Sequence, residues 1–475
     1  MLISHTLRYL PAQLFSPLAQ LVSMILWTHW LAPVEMGVYT LVTVTQEIAF
    51  LGCLGWFSVY ALRFLPSDAD HAGRARYLNT ENVVVLASIL GSMVVAVVAI
   101  WMMPPSHRSW QLVAVMAAFF ASKALNAHYA ERARAQSAFV AFSVLQLSGP
   151  LGGLALGWLA MQHGQADALT LLLAYALAQT LGSLLALPRL GMVWRLARPD
   201  LALLRSAFGF GGPLLVLAVL GWVGENYIRY LVQWHSGASA LGLMVVGWAL
   251  GRRCASVASM VVTTAAFPIA SRLLNEGKRD EALVQLRLNA VLLVAVLLPV
   301  TAAVELLGPA LVSLTVAPEY REITSELLGL SMLAGAIRNL HMHVTDQLMV
   351  LDRRLRMTAK VDLFEIATCA AASLVGLVLY DIRGAVIGQA VGSALTLGLS
   401  VYWARRHLGF DWPWLETGKV LLACAAMAAV IAALHVDADM GGLVIGSGVG
   451  ALVYIGVLSL MFWPDIKRMR GARAS

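Results

Sequence analysis

Fourteen apolar segments, each long enough to cross a lipid bilayer as an α-helix, dominate this chain of 475 residues. A spanning helix needs about 20 mostly apolar residues because the hydrocarbon core is about 30 Å thick. Hydrophobic residues make up 60% of the sequence and charged residues only 12%, which excludes an ordinary soluble enzyme and a disordered chain. We predict an all-α polytopic membrane protein with about 14 transmembrane helices, near residues 13–31, 38–62, 82–103, 109–129, 138–161, 167–187, 207–235, 239–267, 286–308, 323–350, 359–380, 382–403, 418–436 and 441–463.

The basic residues predict the orientation of these spans. Cytoplasmic loops are enriched in Lys and Arg, and most of the 33 Lys and Arg residues fall at the chain ends or after even-numbered spans. The opposite loops contain Arg108, Arg321 and Arg383. We therefore expect both termini of this multi-pass membrane protein to be cytoplasmic. The net charge of +7 follows from this topology, so we expect no nucleic-acid partner.

The loops and cysteines argue against catalysis and against a cofactor. The longest loops, near 63–81, 188–206 and 268–285, are too short for a soluble domain. The sequence contains no GxxxxGK[ST] phosphate loop, so we expect no ATP binding. The longest outer loop, residues 308–322, has no hydrolase or metalloprotease motif, and the four cysteines stand singly in apolar runs. We predict a transporter, not an enzyme, without a cofactor or a metal site.

Charged residues inside the spans are the candidate functional positions, because a charge in the bilayer is costly and usually faces a cavity or a partner. Residues at i, i+4, i+7 and i+11 share a helix face. Four spans carry such polar stripes, namely Thr40, Thr43 and Glu47 in span 2, Glu225, Arg229 and Gln233 in span 7, Arg252, Ser256, Ser259 and Thr263 in span 8, and Arg338, His341 and Thr345 in span 10. These stripes predict a water-filled cavity with a cationic patch.

Arginine binds phosphate through bidentate hydrogen bonds, so the cationic patch predicts an anionic, phosphate-bearing cargo. The candidate substrate-binding residues are Arg252, Arg338, Arg229, Arg253, Glu47, Glu225 and His341. Asp346 and Glu47 are the candidates for a coupling ion. The alternative is a set of internal ion pairs, above all between Glu225 and Arg229, which lie one turn apart. Arg253 points about 100° away from Arg252 on an α-helix, and we prefer Arg252 for the cavity.

The chain shows weak signs of a repeat. A segment rich in glycine, Phe208–Pro213, opens span 7, and Gly242 before span 8 matches Gly37 before span 2. This pattern favours two six-helix lobes, residues 1–190 and 205–407, around a central cavity. Residues 408–475 would add an extra transmembrane helix pair and a basic cytoplasmic tail.

Several motifs resemble those of one transporter family. The run Leu31, Ala32, Pro33, Val34, Glu35, Met36, Gly37, Val38 and Tyr39 after span 1 is similar to the opening of polysaccharide transporters, including O-antigen flippases. The segments ERARAQSAF (131–139), FGFGGPLL (208–215), FPIASRLLNEGKRDEALVQLR (267–287) and RGAVIGQAVGSALTL (383–397) resemble later motifs of that family in order and spacing. The departures are Ala32, where glycine is usual, and two further spans at the C-terminal end.

The resemblance implies the fold of the multidrug/oligosaccharidyl-lipid/polysaccharide (MOP) exporter superfamily and transport by alternating access. The implied cargo is a polyprenyl-pyrophosphate-linked oligosaccharide or polysaccharide precursor, moved from the cytoplasmic to the outer leaflet for cell-surface polysaccharide biosynthesis. Expected partners are this lipid-linked saccharide, membrane lipids, and a polysaccharide synthase, polymerase or export protein. Three alternatives remain: a cation-coupled, MATE-like multidrug exporter, a membrane-bound glycan polymerase or ligase, and a non-transporting scaffold of a synthase complex.

Overall fold

The computed structural model describes residues 2–65, 71–164, 166–192, 197–352, 354–434 and 437–474. Within these ranges, it describes the backbone but not the side chains of residues 2–14, 71–72, 264–268, 355 and 464–474. Its α-helices are α1 (Leu2–Trp27), α2 (Pro33–Phe50), α3 (Trp56–Phe64), α4 (His71–Ala99), α5 (Trp110–Ala135), α6 (Phe139–Leu147), α7 (Gly153–His163), α8 (Ala168–Ala186), α9 (Leu201–Asn275), α10 (Arg279–Thr315), α11 (Pro318–Leu340), α12 (Gln347–Leu351), α13 (Leu355–Leu408), α14 (Trp414–Ala433) and α15 (Met440–Ala474). Ten helical stretches among these residues are long and apolar enough to cross a membrane. The prediction of an all-α polytopic membrane protein is confirmed.

Two long helices each contain two of the predicted spans. Helix α9 changes direction at Gly237, whose φ of 84° lies in the left-handed region that favours glycine. Helix α13 changes direction at Tyr380 and Asp381. We call the parts of α9 and α13 before and after these changes of direction the first and second arms of each helix. Three π-helical turns, Leu51–Gly55, Ser148–Gly152 and His341–Asp346, interrupt otherwise regular helices.

The chain divides into two compact units, Met1–Gly242 and Leu243–Ser475. Unit 1 contains α1 to α8 and the first arm of α9, with α5 packed against α4, α6 and α8. Within unit 1 the backbone of Pro33–Gly37 crosses that of Ala238–Gly242 very closely. A Cβ on Gly37 would overlap the carbonyl oxygen of Ala238, and one on Gly242 would overlap that of Pro33. The two glycines that the sequence matched as repeat positions therefore form one helix crossing.

Unit 2 contains the second arm of α9 and helices α10 to α15. Its main core lies among α9, α10, α11 and α13, around Leu286, Leu293, Met332 and Met349. Helices α14 and α15 pack against each other and against α10 through a second cluster that includes Met427 and Tyr454. The two arms of α13 lie almost in backbone contact, because small residues face each other where they meet. This close packing positions the polar residues of α13 against α11.

Candidate functional site

The polar centre of unit 2 forms where α11 passes into the π-helical turn His341–Asp346. Such turns are rare in helices and occur often at functional sites. Just before the turn, Arg338 Nη1 lies 3.5 Å from Glu365 Oε1 on α13. The two side chains are only 12% and 8% exposed. A nearly buried ion pair therefore joins α11 to the first arm of α13.

His341, the first residue of the turn, lies beside this pair and is buried. Its Nδ1 is 3.0 Å from the Thr345 hydroxyl and 3.3 Å from the Ser400 hydroxyl, and these two hydroxyls are 2.9 Å apart. A ring nitrogen of His341 and one carboxylate oxygen each from Asp362 and Glu365 lie within 4.8 Å of one another. We call these three residues the His341–Asp362–Glu365 cluster.

The second arm of α13 continues this polar environment along one helix face. Gln389, Ser393, Thr396 and Ser400 recur at helical spacing, and all four are buried. Ser393 Oγ lies 3.7 Å from Cys369 Sγ on the first arm. Burial of these four polar side chains costs free energy, because each loses its hydration. Together with the cluster they form a polar interior within unit 2.

Arg252 and Arg253 lie on the second arm of α9, and both side chains are partly buried. The Arg252 guanidinium is 5.0 Å from the centre of the Trp248 ring. The Cα of Arg252 is 3.4 Å from the position that a Cβ on Gly335 would occupy, so α9 and α11 pack closely there. Two turns after Arg252, the Ser259 hydroxyl donates a hydrogen bond of 2.8 Å to Asn339 Oδ1 on α11. The polar stripe of span 8 therefore faces the helix that carries Arg338.

The remaining candidates fall at different places. Asp346 ends the π-helical turn and is partly buried, outside the set of three potential ligands. Glu225 and Arg229 lie in unit 1 on the first arm of α9, where Arg229 donates a hydrogen bond to Asn226. Unit 2 thus contains Arg252, Arg253, Arg338, His341 and Asp346, and unit 1 contains Glu47, Glu225 and Arg229.

Glu47 of α2 forms an ion pair with Lys123 of α5 in unit 1. Lys123 Nζ lies 3.9 Å from Glu47 Oε1, with the side chains 31% and 48% exposed. Lys123 also lies 5.6 Å from the centre of the Phe119 ring. A charge exposed to hydrocarbon is costly, so we expect this partly exposed pair to face water in a bilayer.

A second ionic site in unit 1 is fully buried. Glu81 of α4 accepts hydrogen bonds from Arg132 and from His128 Nε2, at 3.0 Å for the latter, and none of the three side chains is exposed. The Ser58 hydroxyl is 2.9 Å from His128 Nδ1, and Arg132 also donates to the carbonyl of Leu190. We call Glu81, His128 and Arg132 the buried triad. It ties together α3, α4, α5 and the segment after α8.

Sequence reasoning missed five of these residues. The predicted span 4 ends near residue 129 and leaves Arg132 in the following loop, but α5 continues to Ala135 and buries it. The spacing of His128 and Arg132, four residues apart on one helix face, was the available signal. Asp362 and Glu365 lie in the first turns of span 11 and resemble loop-edge charges in the sequence. Glu81 likewise falls just before span 3.

No protein-family model and no curated protein matches this chain. Among solved structures, the lipid II flippase MurJ in an inward closed conformation matches with a TM-score of 0.69 at 11% identity, over 96% of this chain and 99% of that one. An inward-facing multidrug resistance transporter of the MATE family matches with a TM-score of 0.59 at 13% identity, over 84% and 98%. A MOP superfamily transporter from Pyrococcus furiosus matches with a TM-score of 0.52 at 14% identity, over 85% and 94%.

These likenesses show that this chain shares its fold with MurJ and with transporters of the MATE family. The likeness to MurJ extends over nearly the whole of both chains, whereas the MATE match covers 84% of this one. At these identities the comparison establishes the fold, and the cargo must be argued from the residues.

Proposed function

We propose that this protein is a flippase or exporter that moves a polyprenyl-pyrophosphate-linked oligosaccharide or polysaccharide precursor from the cytoplasmic to the outer leaflet of the inner membrane. It would act by alternating access, in cell-surface polysaccharide biosynthesis. The transporter fold supports the class of function, and the motifs shared with polysaccharide transporters support the cargo. A polysaccharide synthase or polymerase is the partner that would use the product.

The observation that carries the proposal is the placement of Arg252 and Arg338 on the tightly packed helices α9 and α11, inside unit 2. A guanidinium in this setting presents several N–H donors in a fixed plane, which suits the oxygens of a phosphate or pyrophosphate. A saccharide attached to that group needs polar surroundings, and the buried hydroxyls and amide of α13 supply donors and acceptors.

The test is translocation of a fluorescent polyprenyl-pyrophosphate sugar in proteoliposomes that contain the full chain. We expect transport by the wild type and a loss of at least about tenfold, equivalent to 1.4 kcal/mol, in Arg252→Ala and in Arg338→Ala. Arg272→Ala is the matched control, because Arg272 is exposed on the same helix as Arg252. Equal transport by all four proteins would refute the role of the two arginines. Absence of transport by well-folded wild type would refute the proposed cargo.

The carboxylates of Asp362 and Glu365 favour one alternative, a cation-coupled, MATE-like exporter of cationic compounds. Acidic groups in a polar interior attract cationic cargo through Coulomb forces that are strong where water is scarce. Efflux of ethidium from proteoliposomes under a proton or sodium gradient tests this alternative. Efflux that is lost in Asp362→Asn, together with no movement of the polyprenyl-linked sugar, would replace our proposal with the exporter.

A further inference from the structure

The His341–Asp362–Glu365 cluster has the composition of a divalent metal site. One imidazole nitrogen and two carboxylates are donors that first-row metals such as Zn²⁺ and Mn²⁺ accept, whereas sodium prefers oxygen donors only. Asp362 and Glu365 are three residues apart and share a face of α13. We propose that this cluster binds one divalent metal ion, and that the ion competes with Arg338 for the carboxylate of Glu365.

The surroundings of His341 orient it for this role. Metal-binding histidines almost always engage their second ring nitrogen in a hydrogen bond, which sets the ring orientation. Here Nδ1 has two hydroxyl neighbours, Thr345 and Ser400, at 3.0 and 3.3 Å. This arrangement leaves Nε2 as the nitrogen for an ion.

Around zinc at about 2.1 Å from each ligand, neighbouring donors in a tetrahedron are about 3.4 Å apart. The three donor atoms lie within 4.8 Å of one another, so they need to approach by about 1.4 Å at most to reach this spacing.

The charges of the cluster also favour a cation. Asp362 and Glu365 carry two formal negative charges, and Arg338 lies 3.5 Å from Glu365. Asp346 is near enough to interact electrostatically with both carboxylates. Neighbouring carboxylates disfavour each other's charged form, and a bound cation relieves this repulsion.

Competition for Glu365 links the ion to the cargo. When the ion takes a Glu365 oxygen, the attraction between that carboxylate and Arg338 weakens, and the guanidinium becomes available to a phosphate. This step rests on the proposed function. Thermodynamic linkage then requires that the ion strengthen phosphate binding and that phosphate strengthen ion binding by the same factor.

The metal site is tested first, without cargo. The full-length protein, purified in detergent and stripped of metal, is titrated with Mn²⁺ and with Zn²⁺ by calorimetry. We expect one site per chain that weakens at least tenfold in Asp362→Asn and in His341→Gln. Glu326→Gln is the matched control, since it removes the exposed ion pair with Arg383, which also joins α11 to α13. Unchanged binding in Asp362→Asn, or stabilisation by Na⁺ but not by divalent ions, would overturn the proposal.

The competition with Arg338 is tested by binding of undecaprenyl phosphate in nanodiscs, with and without Mn²⁺. We expect Mn²⁺ to raise the affinity of the wild type severalfold. Glu365→Gln should show the higher affinity without the ion, and Arg338→Ala should show no response to it. Intact metal binding without an effect on phosphate affinity would overturn the competition. Intact metal binding with no phosphate binding under any condition would reject the proposed cargo and leave the metal site standing.

Discussion

The buried triad of unit 1 and the His341–Asp362–Glu365 cluster of unit 2, with its neighbour Arg338, combine the same side-chain types with opposite consequences. Each group contains a histidine, an arginine and at least one carboxylate. In unit 1, both oxygens of Glu81 accept hydrogen bonds, one from His128 and one from Arg132. In unit 2, two carboxylates lie together, and Arg338 lies 3.5 Å from one of them, that of Glu365.

The difference shows how charge balance separates a structural site from a binding site. One carboxylate matched by an arginine, with a histidine to complete its hydrogen bonds, needs no further ligand and can be fully buried. Two neighbouring carboxylates repel each other, which favours a mobile positive charge. A transporter needs such an incompletely balanced site, because a site that is saturated in the resting protein has no affinity left for an ion or a cargo.

The largest expected effect is the loss of the carboxylate from the buried triad. Glu81→Gln leaves the Arg132 charge buried without compensation, which costs about 3–5 kcal/mol. We expect a large fall in the apparent melting temperature, measured by size-exclusion chromatography after heating in detergent. The control Glu131→Gln removes the exposed ion pair between Glu131 and Arg134, which are both on α5, and should cost less than about 1 kcal/mol. Equal losses of stability in the two variants would contradict the structural role of the buried triad.

A smaller effect is expected for the ion pair of unit 2. In a double-mutant cycle of Arg338→Ala and Glu365→Ala, we expect a coupling energy of about 1–2 kcal/mol, within the range for contacting residues. This value should fall when Mn²⁺ is added, because the ion screens Glu365. The equivalent cycle of Arg132 and Glu81 should give a larger coupling that does not respond to Mn²⁺. The same response to the ion in both cycles would contradict the distinction between a saturated and an open site.

The sequence predicted the helical, membrane-spanning architecture because the length of an apolar run is a local property. Contacts between helices depend on which helices become neighbours, and a single sequence does not contain that information. The pairing of Arg338 with Glu365 therefore emerged only from the structure, as did that of Arg132 with Glu81.

Regular helical geometry also has limits as a guide to polar stripes. The i, i+4 spacing places Thr345 beside His341, and their side chains are in contact at 3.0 Å. Both residues belong to a π-helical turn, however, and no pattern in the sequence indicated that turn. Basic residues at the ends of spans, such as Arg132, are the other weak point, because the orientation rule counts them as loop residues.

The smallest effect on stability is expected for the half-exposed pair of Glu47 and Lys123. Ion pairs in contact with water contribute about 0–1 kcal/mol, so Glu47→Gln and Lys123→Ala should leave the apparent melting temperature nearly unchanged. Their transport activity should nevertheless fall severalfold, because charges that face water inside a membrane protein serve the passage of cargo or ions. Proteoliposome transport and heating in detergent on the same preparations separate the two quantities. A loss of stability as large as that of Glu81→Gln would instead give this pair a structural role, like that of the buried triad. Exposure of a charge to water would then not separate the functional sites of this protein from its structural site.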